Sequence, residues 1–365
     1  MKYIFYLVLF STLSITGYCQ CNEENYSNED TCLTHTFPTS RVLFFGEIHD
    51  DTYDNDIKYD IISNIIKDED TIKVLFEAGH ATAYLMNKYI HTGNKEYIDN
   101  YCWTDWVYYC LNEQVYNLLK TNKNVSIKYY GIDYERNSTY TLNALHYLLE
   151  PLPDSIFIQF SKDDLYDLCE SSFETKSRLV YEAYQLYKNN ISLFEETLKD
   201  EIIDLKLIFR SYNEMLVDSL KNKQYNIKRE EWLYKNILQQ INIDSTRIIL
   251  FLGVEHCSYN NVLYDNDPVA KMLKEKGINV CAIHIFYDKQ NIMNQRLGLK
   301  RRKYNEFFSK YQSSQVTLVS TKCNPQLRDL NLYDYFDYAL IQRKGYKFKK
   351  EHGFMEVLTI ENICD

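Results

Sequence analysis

The 365-residue chain has few of the residues that interrupt regular secondary structure, with only 10 glycines and 5 prolines. Globular proteins contain roughly 12% of these two residues together, so few positions force this chain to turn and we expect long helices. The chain also lacks an excess of basic charge, because 41 Lys and Arg residues stand against 51 Asp and Glu residues. The resulting net charge of −10 argues against a protein that neutralises nucleic-acid phosphates, and no nucleic-acid partner is expected.

Several short motifs of catalytic and metal sites are missing as well. The sequence contains no Gly-x-Ser-x-Gly, which would place a nucleophilic serine on a sharp turn, and no His-Glu-x-x-His, which would bind zinc from one helix face. None of its 10 cysteines forms a Cys-x-x-Cys pair. These absences argue against a serine α/β-hydrolase, a zincin and a zinc-ribbon protein.

The one early apolar stretch has the pattern of a secretory signal. Lys2 precedes the apolar run Ile4–Ile15, and Gly17-Tyr18-Cys19 has the small-x-small form of a cleavage site. We therefore predict that residues 1–19 are a signal peptide and that the mature protein is secreted or periplasmic. No later stretch reaches the roughly 18 uncharged apolar residues of a spanning helix, so no membrane span is expected.

Short apolar runs alternate with helical patterns along the chain. Near-continuous apolar strands between helices are typical of a mostly parallel sheet that is covered on both faces. The sequence therefore predicts an α/β fold, with a mostly parallel sheet and helices on both of its faces. The predicted strands are Arg41–Phe45, Ile72–Phe76, Val125–Tyr130, Arg247–Leu252 and Ile278–Ile283.

A long helical segment separates the third and fourth predicted strands. A crossover between parallel strands needs only one helix, whereas this segment could supply four, so we predict an inserted helical subdomain that covers a pocket. The expected divisions are a first part of the α/β domain at 40–153, the helical insertion at 154–225, a second part at 226–290, and a C-terminal extension with short strands at 291–365.

Acids or histidines follow each of the first four predicted strands. The carboxyl ends of parallel strands meet at one edge of a sheet, where ligands bind. Carboxylates beside imidazoles shift histidine pKa values and can place a base near neutrality. We therefore expect a pocket at this edge. The residues are Glu47 and His49 after the first strand, Glu77 after the second, Asp133 after the third and His256 after the fourth.

Five sequence elements follow one another along the chain: Gly46-Glu-Ile-His49, Phe76-Glu-Ala78 with the helix that follows, Tyr130-Gly-Ile-Asp133, Arg229-Glu-Glu-Trp-Leu-Tyr-Lys-Asn236 and Gly253-Val-Glu-His256. In this order they resemble the erythromycin esterase family and its relatives in the wider Tiki and ChaN-like superfamily. The resemblance covers about Arg41 to Phe286. Two departures affect the expected substrate: Glu255 and Cys257 flank His256 where antibiotic-hydrolysing members tend to have Asn and Ala, and Asp50-Asp51 leans toward the haem-binding branch.

The resemblance implies hydrolysis of a small-molecule ester or lactone without a metal ion or cofactor. In this hypothesis His49 takes a proton from the attacking water, and Glu47 or Glu77 fixes the tautomer of its ring. His256 and Arg229 would stabilise the oxyanion or bind an acidic group of the substrate. Asp133 would orient one of these two cations.

Two other functions use the same cluster. In a Tiki-like metal-dependent hydrolase or protease, Glu47, His49, Glu77 and His256 would be the ligands of zinc or manganese. In a ChaN-like haem-binding protein, a tyrosine or histidine would ligate iron. The sequence alone leaves these alternatives open.

Overall fold

The computed structural model describes residues 33–34, 36–47, 54–99, 109–153, 172–219, 225–261, 266–287, 298, 300–313 and 315–342. The predicted signal peptide at 1–19 and the candidate base His49 lie outside these ranges. The other predicted site residues lie within them.

Within the described ranges, eight strands form one sheet in the order β1-β7-β8-β6-β2-β5-β3-β4. The six strands from β8 to β4 run parallel to their neighbours, whereas β7 and β1 are added antiparallel at the other edge. The predicted α/β fold with a mostly parallel sheet is confirmed. The strands are β1 Leu33–Thr34, β2 Val42–Glu47, β3 Thr71–Phe76, β4 Ser126–Gly131, β5 Arg247–Gly253, β6 Val280–Phe286, β7 Thr317–Ser320 and β8 Tyr338–Ile341.

Helices connect the strands and cover both faces of the sheet. As the scarcity of glycine and proline predicts, several are long. The helices are α1 Asp54–Ile65, α2 His80–Thr92, α3 Glu96–Asp99, α4 Tyr109–Thr121, α5 Ser138–Leu149, α6 Phe173–Asn189, α7 Ile191–Leu198, α8 Ile202–Ser219, α9 Tyr225–Ile243, α10 Val254–Cys257, α11 Val269–Glu275, α12 Arg301–Tyr311 and α13 Pro325–Arg328, with short 3₁₀ turns at Lys199–Glu201 and Leu332–Asp334.

Alternate side chains of each central strand enter two different apolar cores. In β2, Val42 and Phe44 pack in the core that contains residues of α9, α11 and α12. Leu43 and Phe45 point the opposite way, into the core that contains residues of α1, α2 and α4. Because both faces are buried, the strand has a continuous apolar sequence rather than an alternating one.

The helices between β4 and β5 form a third core. Side chains of α6, α7 and α8 pack there against α2 and α5. Two polar contacts add to this packing, since the Tyr84 hydroxyl and the Lys88 ammonium bind Glu201 at 2.9 and 2.7 Å. The sequence-based division of the chain into domains, including the insertion at 154–225, remains a prediction.

The loops that follow β3 and β4 are packed backbone to backbone. Gly131, the last residue of β4, lies so close to Gly79 that a Cβ atom at position 131 would be 2.0 Å from the Gly79 carbonyl oxygen. The Asp133 N–H donates a hydrogen bond of 3.0 Å to the Ala78 carbonyl. This close approach fixes the two loops relative to each other.

We predict that Gly131→Ala destabilises the protein by about 3 kcal/mol or more, because the added methyl group meets rigid backbone. Urea unfolding measures the change. Gly277→Ala is the comparison: Gly277 has a φ of +79° and open space around it, so alanine there should cost only about 1 kcal/mol of backbone strain. Equal losses in the two variants would contradict the tight packing of the loops.

Candidate functional site

The structure brings four predicted site residues to the carboxyl edge of the parallel strands. Glu77 directly follows β3, Asp133 lies two residues beyond β4, and His256 is in α10 directly after β5. Arg229 reaches them from α9, which lies between the fourth and fifth strands in the sequence. Glu47, the last residue of β2, is at the same edge but has a different partner.

The Arg229 guanidinium is held between two buried carboxylates. Its Nε lies 3.0 Å from Oδ1 of Asp133 and its Nη2 lies 2.6 Å from Oδ2, while Nη2 also donates to Oε1 of Glu77. Burial lowers the pKa of Arg229, but Asp133 and Glu77 outweigh it and hold that pKa above its usual value. Arg229 therefore joins the ends of β3 and β4 as a permanent cation.

One face of α9 carries the contacts that place Arg229. Trp232 stacks on Tyr134 with ring centroids 5.6 Å apart, and the Asn236 amide donates a 2.9 Å hydrogen bond to the Ile132 carbonyl. Residues three and seven positions after Arg229 lie on the same helix face. The helix thus docks on the loop after β4 through a single stripe of side chains.

Glu77 connects three parts of the site. Its Oε2 accepts a 2.7 Å hydrogen bond from the Gly253 N–H at the end of β5, and its Oε1 lies 3.6 Å from Nε2 of His256. Arg136 adds a second guanidinium, with Nη2 at 2.7 Å from Asp133 and 3.6 Å from Glu77. Both carboxylates are thus shared among several donors.

His256 is surrounded by carboxylates that favour its charged form. Its Nδ1 lies 2.6 Å from Oε1 of Glu230, the residue after Arg229. Burial lowers the pKa of His256, but Glu77 and Glu230 outweigh it, so this pKa rises to about 9. The imidazole is therefore protonated at neutral pH and donates protons rather than accepting them.

Two cationic donors consequently stand side by side. Nη1 of Arg229 is 3.4 Å from Nε2 of His256, and neither atom can accept a proton from the other when both are charged. Glu77 stabilises the two cations from one side. An oxygen that develops negative charge could accept from both of them, which is the arrangement of an oxyanion site.

Glu47 forms an ion pair with a buried lysine, Lys58. Nζ of Lys58 lies 2.7 Å from Oε2 of Glu47, and the two side chains are 0% and 2% exposed. A buried pair of this kind needs both partners, because removal of either leaves an uncompensated charge. Lys58 thus holds the Glu47 side chain at the end of β2, two residues before His49 in the sequence.

The described members of the alternative metal-ligand set do not fit a metal ion. Glu47 is paired with Lys58, and Glu77 is bound by Arg229 and the Gly253 N–H. A metal ion would have to displace both cations. Within the described ranges, no cluster of three or more His, Cys, Asp or Glu side chains is placed to hold an ion.

A cavity of about 420 Å³ opens beside the charged cluster. Its wall combines the loops after β3 and β4, the first turns of α2 and α5, and α6 of the segment between β4 and β5. The lining therefore mixes aromatic and charged groups. It includes Glu77, Gly79, Thr82, Tyr134, Glu135, Arg136, Tyr140, Phe173 and Lys176.

The sequence analysis missed four residues of this region. Lys58 lies on a helix whose pattern shows only an amphipathic face, and Arg136 follows a strand end as many surface residues do. Glu230 directly follows Arg229 in a quoted element, and Glu135 ends the polar run after the third strand. The only signal for a role of these residues is that each lies near an acid or near His256 in the fold. This signal becomes specific only once the partners are known.

These features define an α/β protein with an ion-paired pocket at the carboxyl edge of a parallel sheet. No family model and no curated protein matches the chain. Among solved structures, the erythromycin esterase EreC, a mutant in its open conformation, has a TM-score of 0.51 and 11% identity, over 82% of this chain and 90% of that one. The chain therefore has an erythromycin esterase-like fold, as the sequence resemblance predicted.

Two further solved structures show weaker similarity. One is a succinoglycan biosynthesis protein, with a TM-score of 0.46 and 15% identity over 83% of this chain and 88% of that one. The other is the haem-binding ChaN of Campylobacter jejuni, with a TM-score of 0.31 and 10% identity over 83% and 87% of the two chains.

The described residues contain no helix with the length and hydrophobicity of a membrane span.

We predict that Glu230→Gln lowers the pKa of His256, because the neutral amide removes one of the two carboxylates that favour the imidazolium. Histidine NMR across pH 5 to 10 measures this pKa. Since the folded-state pKa of about 9 exceeds the ordinary value of 6.5, the wild-type ion pairs stabilise the fold fully below about pH 6.5 and lose this effect as pH rises through about 9.

The control is Glu231→Gln at the next position, where the carboxylate is 44% exposed and bound to Lys228 at 2.9 Å. This variant should leave the His256 titration unchanged. An unchanged titration in Glu230→Gln would show that Glu230 does not hold the imidazolium.

Proposed function

We propose that this protein is an exported hydrolase of the erythromycin esterase-like type, which cleaves an ester or lactone bond of a small molecule. The observation that carries the proposal is the pair of adjacent cationic donors, Arg229 and His256, which both contact Glu77 in the wall of a cavity at the carboxyl edge of the sheet. Ester hydrolysis develops negative charge on one oxygen, and preorganised donors that stabilise this charge supply a large part of its catalysis.

The raised pKa of His256 supports a role in charge stabilisation rather than in proton abstraction. A protonated imidazole cannot act as a general base at neutral pH. The proton of the attacking water is therefore proposed to go to His49, which follows β2 in the same Gly-Glu-x-His element. Glu47, which is paired with Lys58 at the end of β2, is proposed to orient that base.

The tetrahedral intermediate would place its oxyanion against Nη1 of Arg229 and Nε2 of His256. Both donors are fixed before the substrate binds, because Asp133, Glu77 and Glu230 hold them. Fixed donors need no reorganisation when charge develops, so their effect falls on the transition state. Asp133 in this scheme orients Arg229.

The cavity suits a small-molecule substrate. Its volume of about 420 Å³ lies in the range of roughly 300–1,000 Å³ that ligand pockets occupy. Phe173 and Lys176 of α6 line it together with Glu77, so the segment between β4 and β5 contributes to the choice of substrate.

Export is supported by two kinds of observation. The first 19 residues have the pattern of a signal peptide, and Cys110 and Cys323 are each disulfide-bonded. Disulfides persist mainly in secreted and periplasmic proteins. Detection of the mature protein outside the cytoplasm, starting at Gln20, would test this part of the proposal.

The purified protein should hydrolyse members of a panel of esters and lactones, and we predict different losses for the two histidines. His49→Ala should reduce kcat by a factor of about 10² to 10⁴ through loss of the base. His256→Gln should reduce kcat by about 10² to 10³ through loss of an oxyanion donor. Circular dichroism confirms that each variant is folded.

Cys257→Ala is the matched control, one residue from His256. Burial raises the pKa of this thiol, so it is a poor nucleophile, and its removal should leave kcat nearly unchanged. Full activity in His49→Ala would reject the assigned base. Activity that is lost with a chelator and restored by zinc or manganese would instead favour a metal-dependent hydrolase.

A further inference from the structure

Helix α2 is capped by a residue from a different part of the chain. It begins at His80 after Gly79, and no side chain at its own N-cap position accepts a hydrogen bond. Instead, Oε1 of Glu135, in the loop after β4, accepts a 3.0 Å hydrogen bond from the Ala81 N–H. An N-terminal N–H group of the helix is thereby satisfied by a buried carboxyl group.

This contact depends on the absence of a side chain at position 79. A Cβ atom there would lie 2.3 Å from Oε2 of Glu135 and 2.6 Å from its carboxyl carbon. The carboxyl group of Glu135 therefore rests directly on the backbone of Gly79. Since Glu77 is only two residues earlier, Glu135 supports the short loop that carries Glu77 into the site.

The geometry at Thr141 accommodates the neutral acid form of Glu135. The Thr141 hydroxyl oxygen lies 3.3 Å from Oε2 of Glu135 and 3.2 Å from the Asn137 carbonyl oxygen. Its single proton cannot serve both acceptors fully. When Glu135 is protonated, Oε2 donates to Thr141, whose own proton goes to Asn137, and every proton then has one acceptor.

Burial of Glu135 also favours the neutral acid form. Glu135 is 1% exposed, and burial raises its pKa to about 8, although the Ala81 N–H and, where it donates to the carboxylate, the Thr141 hydroxyl oppose the shift. Asp133 raises this pKa further. The other titratable or charged groups nearby are His80 at the start of α2 and Glu77, Arg136 and Lys176 in the cavity wall.

We propose that Glu135 is a positioning residue for the hydrolysis: its neutral acid form caps α2 and fixes the loop that presents Glu77 to Arg229 and the Gly253 N–H. The inference rests on the proposed function for its catalytic consequence but not for its structural one. Ionisation would place a second negative charge beside Asp133 and loosen this support.

The test compares wild type with Glu135→Gln and Glu135→Leu from pH 5 to 10. A glutamine has the shape and the donor of the neutral acid, so Glu135→Gln should keep kcat/KM within about twofold of wild type at pH 7. Leucine can neither accept from Ala81 nor donate to Thr141, so Glu135→Leu should lose at least about tenfold.

The pH profiles separate a positioning role from a merely structural one. Wild-type kcat should fall in two steps at alkaline pH, one near the pKa of Glu135 at about 8 and one near that of His256 at about 9. Glu135→Gln should lack the first step and keep the second. A Glu135→Gln profile that retains both steps, or an activity as low as that of Glu135→Leu, would overturn the proposal.

Thermal unfolding provides a readout that does not depend on catalysis. The folded-state pKa of Glu135 exceeds its ordinary value of 4.5, so wild type should lose stability relative to Glu135→Gln as pH rises from about 4.5 through about 8. Glu150→Gln, at an exposed position after α5, is the control and should follow wild type. If no ester is hydrolysed but this difference appears, only the proposed function fails; if the difference is absent, the inference about Glu135 fails.

Discussion

The site depends on the ion pairs between one guanidinium and two buried carboxylates. Arg229 contacts Asp133 and Glu77 at the ends of neighbouring strands, and these acids would repel each other without it. Three acids meet here, namely Glu77, Asp133 and Glu230. Three cations lie among them, namely Arg229, Arg136 and protonated His256. The charges of these six groups balance, which is a condition for burying so many of them together.

The fold supplies the precision that these ion pairs require. Parallel strands bring their carboxyl ends to one edge. The loops after β3 and β4 can approach each other closely because Gly79 and Gly131 have no side chains. Helix α9 then adds Arg229 and Glu230 from a distant part of the sequence. A rigid sheet and a docked helix together fix the donors before any substrate binds.

The sequence predicts which edge of the sheet carries the site better than it predicts which side chains pair with each other there. Apolar runs that end in Glu77, Asp133 or His256 locate the edge, because strand burial and strand direction are local properties. Partners such as Lys58 for Glu47 depend on how helices pack, and an amphipathic pattern does not reveal which polar residue turns inward. Glu135 illustrates the same difficulty, since its cap on α2 exists only after two strands are placed side by side.

A double-mutant cycle on the free energy of unfolding tests the central ion pair most directly. Arg229→Met alone should cost about 3–5 kcal/mol, because it leaves buried carboxylates without compensation. Combined with Asp133→Asn, it should cost less than the sum of the two single changes, with a coupling energy of about 2 kcal/mol. Losses that add within about 0.5 kcal/mol would show that Arg229 and Asp133 act independently, and would contradict the account of a site assembled around Arg229.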